Sequence, residues 1–306
     1  MKIKEKLTIQ DPRALCVKLE AFIKNTVEEY GREGCILGNS GGIDSALVAF
    51  LAVRALGKDR VKMLFLPERD SSSDSYRHAL EVANALDVPM KSISLTPLLR
   101  KMGVYKLEPS PLFIPRSIQE RYVINKHKKY DDDESTTFMK TLKGGGSNVQ
   151  LRKDIAYYRI KHRLRMAILY YYGEMENYMV LGTSNRSEKM TGLFIKYGDG
   201  ASDLEPLAGL YKTQVYRLAE YLKLPRSIIE KAPTPDLAPG LTDEQTLNLS
   251  YDRLDTILAG LDMGVKREDI AREAGVEMSS IDYVEELIKV SWHMRNLPLE
   301  PGNILT

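Results

Sequence analysis

The sequence is poor in cysteine, in net charge and in long apolar runs. Its 306 residues carry a net charge of +2, which argues against a dedicated nucleic-acid-binding protein. The two cysteines, Cys16 and Cys35, are too few and too far apart for a disulfide framework or a C-x-x-C metal site, so both are expected to be buried small hydrophobes. No apolar run is long enough to span a membrane, and the first residues lack the apolar segment of a signal peptide. We therefore expect a cytoplasmic protein without membrane or nucleic-acid partners.

Two common nucleotide-binding motifs are also missing. The sequence contains no G-x-x-x-x-G-K-[ST] pattern, which disfavours a P-loop kinase or GTPase. It contains no G-x-G-x-x-G pattern either, which disfavours a dinucleotide-binding Rossmann turn. Any phosphate site in this chain must therefore be of another type.

A glycine- and serine-rich turn is present instead. The segment S-G-G-I-D-S at residues 40–45 follows an apolar run at 35–37 and precedes an amphipathic run, which predicts a strand, a turn and a helix. Glycines let the backbone approach an anion, and free N–H groups at a helix start bind it. A carboxylate would repel phosphate on its own, so Asp44 is predicted to bind Mg²⁺. The turn is either a pyrophosphate-binding site or an ordinary strand-to-helix loop.

The rest of the N-terminal half alternates between apolar strands and helical patterns. Strands are predicted at residues 61–66, 91–93 and 178–181, with a helix at 73–86, and mostly helical segments follow residue 211. This order predicts an α/β fold in which a parallel sheet has helices on both faces and a helical C-terminal extension follows. In such sheets ligands bind at the carboxyl ends of the strands, where the 40–45 turn lies.

One segment interrupts this pattern. Residues 102–152 contain several prolines, a mixed charge run and three consecutive glycines, Gly144, Gly145 and Gly146. A structureless loop of this length is uncommon within one domain. We expect residues 1–306 to form a single domain in which 102–152 is an insertion or lid, and charge runs of this kind usually form a solvated surface.

A second polar region follows the strand predicted at 178–181. It contains G-T-S-N-R-S-E at residues 182–188 and K-Y-G-D-G-A-S-D at residues 196–203. Taken alone, these are solvated loops with Asx-turns. Combined with the first turn, Glu188 is predicted to join Asp44 around Mg²⁺, and Lys212 to neutralise a phosphate.

Six blocks together make the sequence resemble a known family. They lie at residues 40–45, 161–166, 182–188, 196–200, 210–215 and 233–237, in the order and spacing of NAD synthetases of the N-type ATP pyrophosphatase superfamily. The resemblance runs from about Ala14 to Pro301 apart from the insertion. It implies an adenine nucleotide alpha-hydrolase-like fold and an ammonia-dependent ligase. The implied reaction is ATP- and Mg²⁺-dependent amidation of nicotinic acid adenine dinucleotide (deamido-NAD) to NAD through an acyl-adenylate, with release of AMP and pyrophosphate.

The resemblance also implies residue roles. Asp44 and Glu188 would bind Mg²⁺. The expected ATP contacts are Ser40, Gly41, Gly42, Asp44, Ser45, Thr183, Lys212 and Thr234, and the expected deamido-NAD contacts are Arg163, Lys196, Asp203 and His293. Family members are dimers that bind the dinucleotide at the subunit interface, so a homodimer is expected. Of the other histidines, His78 and His127 are expected to be solvated and His162 to line the site.

Three positions depart from the family pattern. Met294 replaces a lysine, Arg159 stands in place of an asparagine and Leu241 in place of a glutamine. These changes leave the acid substrate open, and the alternatives are another ATP pyrophosphatase that amidates or thiolates a different substrate, or a nucleotide-binding module without turnover. A glutaminase needs a nucleophilic cysteine in a domain for which this chain has no room. The nitrogen donor is therefore expected to be ammonia, either free or delivered by a separate glutaminase chain.

Overall fold

A computed structural model describes residues 3–108, 114–132, 135–234, 240–296 and 298. In these residues four strands form a parallel sheet in the order β3-β2-β1-β4: β1 (Gly34–Gly38), β2 (Val61–Phe65), β3 (Met90–Ser92) and β4 (Tyr178–Leu181). The predicted α/β class and all four predicted strands are confirmed. Parts of two sequence patterns, residues 133–134 and 235–237, lie outside the described residues.

Helices cover both faces of the sheet. Those up to and including the helix before β4 are α1 (Ile3–Leu7), α2 (Pro12–Glu29), α3 (Ile43–Leu56), α4 (Ser73–Leu86), α5 (Thr96–Lys101), α6 (Arg116–Lys128), α7 (Thr137–Leu142) and α8 (Val149–Met175). Short 3₁₀ turns cover Lys58–Arg60 and Val104–Lys106. One apolar cluster, which includes Leu37, Leu47 and Met63, lies between the sheet and α2, α3 and α4. The other, which includes Ile36, Leu99 and Leu169, lies between the sheet and α5 and α8.

The C-terminal part is helical. It consists of α9 (Arg186–Thr191), α10 (Lys212–Tyr221), α11 (Arg226–Ile229), α12 (Asp243–Leu247), α13 (Tyr251–Asp262), α14 (Arg267–Ala274) and α15 (Met278–Arg295). These helices share a third apolar cluster with α1 and α7, built on residues such as Leu254, Ile257 and Leu287. The predicted C-terminal helical extension is confirmed. Among the described residues, no helix has the length and apolar character needed to cross a bilayer.

The segment 102–152 is largely helical where it is described. Its α7 buries Phe138, Met139 and Leu142 in the C-terminal apolar cluster. The expectation of a solvated surface is therefore wrong for this helix, because its apolar residues pack onto the helices that follow β4. The described part of α6 is more exposed, and Ile118 and Tyr122 on it are about half accessible to solvent.

Candidate active site

The turn after β1 forms the floor of a cleft at the carboxyl ends of the strands. The helix α3 begins at Ile43, and its N-cap Gly42 provides no side chain to occupy the first N–H groups of the helix. The Oγ atoms of Ser40 and Ser45 lie 3.0 Å apart, and Ser45 Oγ donates to the carbonyl of Gly42. The hydroxyls therefore brace the turn while the helix start remains available to an anion.

Glycine is required at Gly41 by the helix beneath it. The φ of Gly41 is +72°, and a Cβ there would lie 2.6 Å from the carbonyl oxygen of Ser75 and 2.8 Å from the amide nitrogen of Ala79 on α4. The same contact covers His78, which is 8% exposed. The expectation that His78 is solvated is therefore wrong. Burial lowers its pKa, and the nearby cations Lys231 and Arg77 lower it further.

The loop after β4 is tied to this turn through Asn185. Asn185 is fully buried and caps α9, accepting from the amide of Glu188, while the Glu188 carboxylate accepts from the amide of Asn185. Its Nδ2 donates to Asp44 Oδ1 at 2.9 Å. One capping residue therefore holds both predicted metal ligands.

Lys212 lies between the carboxylates of the two loops. Its Nζ is 2.6 Å from Asp44 Oδ2, 3.1 Å from Glu188 Oε1 and 3.9 Å from Asp243 Oδ2, and the side chain is 1% exposed. The Tyr251 ring lies 5.2 Å from the same nitrogen, and its hydroxyl donates to Asp243. The structure thus brings Asp44, Glu188 and Lys212 together as the sequence predicts.

The cluster contains more acid than base. Burial raises the pKa of Glu188 to about 8; the Lys212 ammonium opposes this shift, and Asp44 and Asp243 add to it. Burial also raises the pKa of Asp243. Burial lowers the pKa of Lys212, but the surrounding carboxylates outweigh it and hold that pKa well above its usual value. The raised pKa values of Glu188 and Asp243 show that the ionised carboxylates are not fully compensated by one ammonium, and a divalent cation would favour their ionised forms.

The carboxylates of the cleft suit a Mg²⁺ ion that is also bound by the phosphates of a nucleotide. In the described residues, no group of three or more His, Cys, Asp and Glu side chains is arranged to hold a metal. Asp44 and Glu188 nevertheless line the cleft, as do the carboxylates Asp199 and Asp243. Mg²⁺ is often bound by one or two carboxylates together with substrate phosphates and water. The residues therefore suit a cation that arrives with a nucleotide.

The cleft extends from this cluster across the sheet. Its volume is roughly 1530 Å³, which includes space open to solvent. Thr183 and Thr234 line it, together with Ser40, Gly42, Asp44, Ser45, Glu188 and Lys212, whereas Gly41 lies beneath it. The cleft also receives two cations that the sequence analysis did not select, Arg165 and Lys231. Lys231 Nζ lies 3.4 Å from the carbonyl of Gly41, next to the phosphate turn.

Three of the residues predicted to contact the dinucleotide are joined by hydrogen bonds outside the cleft. Arg163 Nε donates to the carbonyl of Lys196, and Lys196 Nζ donates to the carbonyl of His293 at 2.7 Å. Arg163 and His293 are exposed. Asp203 lies apart from them and accepts from the Val180 amide at 2.7 Å, so in this structure it supports the edge of β4.

The three residues that depart from the family pattern lie outside the main cleft. Met294 is buried in the apolar cluster of the C-terminal helices. Arg159 and Leu241 line a second cavity beside the cleft, and Arg159 donates to the carbonyl of Thr141. The segment 193–195 forms a wall of both the cleft and this cavity.

Sequence reasoning did not select four residues of the site: Arg165, Asn185, Lys231 and Asp243. Arg165 and Asn185 lie within the family blocks and Lys231 lies two residues before one, and Asn185 with Glu188 three residues later is a capping-box signal. Asp243 follows Thr242, the N-cap of α12, so it has the sequence pattern of an ordinary exposed first-turn acid, although it is 3% exposed. Only the packing of α12 on the cluster reveals its place.

Comparison with known proteins decides the family. The NAD synthase family model matches residues 15–122 and 117–298. The chain belongs to the NAD synthase family. The NH3-dependent NAD(+) synthetase of Thermotoga maritima is 46% identical over 282 residues, which cover 92% of this chain and 97% of that protein. The corresponding protein of Methanocaldococcus jannaschii is 36% identical over 284 residues, covering 93% of this chain and 95% of its own length.

Solved structures agree with this assignment. An NMN synthetase from Francisella tularensis matches with a TM-score of 0.71 and 26% identity, over 96% of this chain and all of that one. An NH3-dependent NAD synthetase from Campylobacter jejuni matches with a TM-score of 0.68 and 25% identity, over 95% of this chain and 99% of that one. The predictions of an NAD synthetase fold, of a ligase and of the ammonia-dependent activity of this ATP-using family are confirmed.

Proposed function

We propose that the chain joins ammonia to the carboxylate of deamido-NAD at the cleft, with MgATP as the activating reagent. The observation that carries this proposal is the cluster of Asp44, Glu188 and Lys212 beside the phosphate turn, in a chain that is 46% identical to a named NH3-dependent NAD(+) synthetase. The start of α3 after the turn, which has no side-chain cap, supplies N–H groups for phosphate, and the cluster supplies the carboxylates for its counter-ion.

The ATP-binding role is assigned to residues around the cleft. Ser40, Gly41, Gly42 and Ser45 form the turn that accepts the phosphates, and Thr183, Lys212 and Thr234 line the walls above it. Asp44 and Glu188 would hold Mg²⁺. When bound, that cation would supply positive charge to the pyrophosphate that leaves.

The reaction requires positioning more than acid–base chemistry. An oxygen of the substrate carboxylate attacks the α-phosphorus of ATP, the bond from that phosphorus to the bridging oxygen breaks, and pyrophosphate leaves. Ammonia then attacks the carbonyl carbon of the acyl-adenylate, and AMP leaves with the former carboxylate oxygen. Lys212 and the helix start stabilise charge as it moves onto pyrophosphate.

The dinucleotide is assigned to the surface next to the cleft. Arg163, Lys196 and His293 are joined by hydrogen bonds, and Arg163 and His293 are exposed, so this surface can accept an anionic ligand. Asp203 is assigned here by family resemblance alone. A homodimer would cover this surface with a second copy. The insertion at 102–152 would act as a lid, because Val123 of α6 and Thr137 of α7 line the cavity that adjoins the cleft.

Ammonia is proposed as the donor on the chemistry of the two cysteines. Both are buried thiols without a disulfide, and burial raises the pKa of Cys35 to about 12 and also raises that of Cys16. A thiol of this kind is a poor nucleophile, so neither cysteine suits glutamine hydrolysis. A separate glutaminase chain remains a proposed source of ammonia. Unpaired thiols also fit the reducing cytoplasm, which is the proposed location.

Pyrophosphate release tests this function. The purified protein is incubated with ATP, Mg²⁺ and ammonium, and with either deamido-NAD or nicotinic acid mononucleotide. The mononucleotide is the second candidate, because one solved relative is named an NMN synthetase. We expect release with deamido-NAD and none when glutamine replaces ammonium. Pyrophosphate release with the mononucleotide but not with deamido-NAD would show that the mononucleotide is the substrate. Turnover with glutamine alone would contradict the assignment of ammonia as the donor.

A further inference from the structure

A buried ion network lies beside the cleft on the side of β2. Lys161 of α8 donates from Nζ to Glu68 Oε1 at 3.0 Å and to Asp70 Oδ2 at 2.8 Å. Its side chain is 3% exposed, and those of Glu68 and Asp70 are 4% and 11% exposed. The ammonium also lies 4.0 Å from the centre of the Tyr157 ring. Lys161 is therefore committed to this network and does not line the cleft.

A second cation completes the network. Arg69 donates to Asp70 Oδ1 at 2.9 Å and to the Tyr157 hydroxyl at 2.8 Å, and it lies over the Tyr105 ring. The Tyr105 hydroxyl donates to Glu68 Oε2 at 3.0 Å. Two cations balance two carboxylates, so the removal of Lys161 would leave buried negative charge without a counter-ion.

The network holds one wall of the cleft. Glu68 and Asp70 belong to the segment between β2 and α4, and Leu66, Pro67 and Ser71 of the same segment line the cleft. Arg165, one turn after Lys161 on α8, donates to the carbonyl of Leu66. The strand order places β2 and β4 on opposite sides of β1, so this wall lies opposite the loop that carries Glu188.

If the phosphates of ATP bind at the turn and the Lys212 cluster, the nucleoside end of ATP can lie against this wall. The strand ends Leu64, Phe65 and Leu66 give the cleft an apolar surface there. An apolar slot with a few polar groups is the usual setting for an adenine ring. We propose that Lys161 is a positioning residue that fixes residues 66–71 against α8 and thereby sets the affinity for the nucleoside end of ATP. This inference rests on the proposed function, which places ATP in the cleft.

The variant Lys161→Met tests the inference by direct ATP binding in calorimetry. We expect the Kd for ATP to rise about tenfold, because a displaced wall misplaces the nucleotide, while the Kd for deamido-NAD stays near the wild-type value. The matched control is Lys126→Met. Lys126 also bridges two carboxylates, Glu108 at 2.7 Å and Asp154 at 2.9 Å, but it lines the second cavity rather than the cleft. The control should lose stability and keep the affinity for ATP.

Two further measurements separate positioning from a general loss of stability. Hydrogen exchange of residues 66–72 should become faster in Lys161→Met and stay unchanged in Lys126→Met. Adding Asp70→Asn to Lys161→Met should recover part of the ATP affinity, because it removes one uncompensated carboxylate. If Lys161→Met does not fold, Tyr157→Phe removes the hydroxyl that bonds Asp70 and should raise the Kd for ATP about threefold.

The outcomes distinguish this inference from the proposed function. If the folded Lys161→Met protein, or Tyr157→Phe in its place, binds ATP with the wild-type Kd, the positioning role is wrong and the proposed function is untouched. If ATP and deamido-NAD weaken equally, the network serves overall stability and the inference is also wrong. A wild-type protein that binds no ATP would instead contradict the proposed function.

Discussion

Asn185 donates a hydrogen bond from Nδ2 to Oδ1 of Asp44 at 2.9 Å, across 141 positions of sequence. This bond joins the turn after β1 to the loop after β4. Because Asn185 also caps α9 in a reciprocal pair with Glu188, one buried amide determines where both carboxylates of the cleft lie. The geometry of the cation site therefore depends on a residue that is not itself expected to bind the cation.

Asn185→Ala should weaken both stability and ATP binding. The loss of the cap and of the donor to a charged acceptor is expected to cost about 2 kcal/mol of unfolding free energy in urea. The KM for ATP should rise several-fold because Asp44 loses its fixed position. Asn148→Ala is the control, since Asn148 caps α8 at an exposed site outside the cleft. It should cost about 1 kcal/mol and leave the KM for ATP unchanged, and an equal effect of both variants on this KM would contradict the role of Asn185.

Gly41→Ala should be more harmful than a glycine substitution elsewhere with similar φ. A Cβ at Gly41 meets backbone atoms of α4 at 2.6 and 2.8 Å, whereas Gly275, with φ +63°, has nothing within 4 Å. We expect a cost of about 3 kcal/mol for Gly41→Ala and about 1 kcal/mol for Gly275→Ala in thermal or urea unfolding. Similar costs for the two variants would mean that the close approach of α4 to the turn is wrong.

Stability should depend on pH through Asp255. Burial raises its pKa to about 6, although the Ser187 hydroxyl and the Thr213 amide donate to it. The folded protein then holds a proton that the unfolded chain releases from about pH 4 upward, so this contribution to stability is present at low pH and is lost as the pH rises to about 6. The advantage of wild type over Asp255→Asn should shrink by about 3 kcal/mol between pH 4 and 7. A constant difference would contradict the raised pKa.

Substitutions of Arg163 and Asp203 should have different effects, although the family resemblance assigns both residues to the dinucleotide. Arg163 is exposed and linked to Lys196, so Arg163→Ala should raise the KM for deamido-NAD about tenfold and leave stability within about 0.5 kcal/mol. Asp203 accepts from the Val180 amide of β4 and from the Tyr170 hydroxyl. Asp203→Asn should therefore cost about 1–2 kcal/mol of stability. An Asp203→Asn protein with wild-type stability and a raised KM would favour substrate contact instead.

The sheet and the centre of the site could be predicted from sequence, because apolar strands and a glycine-rich turn are local signals. The runs at 35–37 and 178–181 have strand composition, and parallel order places the turns after them at one edge. The Asp44–Glu188–Lys212 cluster followed from these placements together with the family blocks. The helix α6 could not be predicted, because the apolar residues in R-S-I-Q-E-R-Y-V-I-N-K-H-K do not recur on one face.

The burial of His78 and Asp243 was not predicted from the sequence because it depends on tertiary packing. His78 lies on the amphipathic helix α4, one turn before the buried Val82, and the phosphate turn covers it. Asp243 follows a capping threonine as many surface acids do, and its burial becomes visible only when α12 packs against Lys212. Sequence periodicity reports one face of one element, whereas both of these positions are set by the approach of a second element.

The most direct test of the central claim follows the substrate carboxylate oxygens. Deamido-NAD labelled with heavy oxygen in its carboxylate is incubated with the protein, ATP, Mg²⁺ and ammonium, and the products are examined by mass spectrometry. If the cleft forms an acyl-adenylate, one labelled oxygen appears in the phosphate of AMP and pyrophosphate is unlabelled. Label in inorganic phosphate, with ADP as the nucleotide product, would show attack at the γ-phosphorus and would contradict the account.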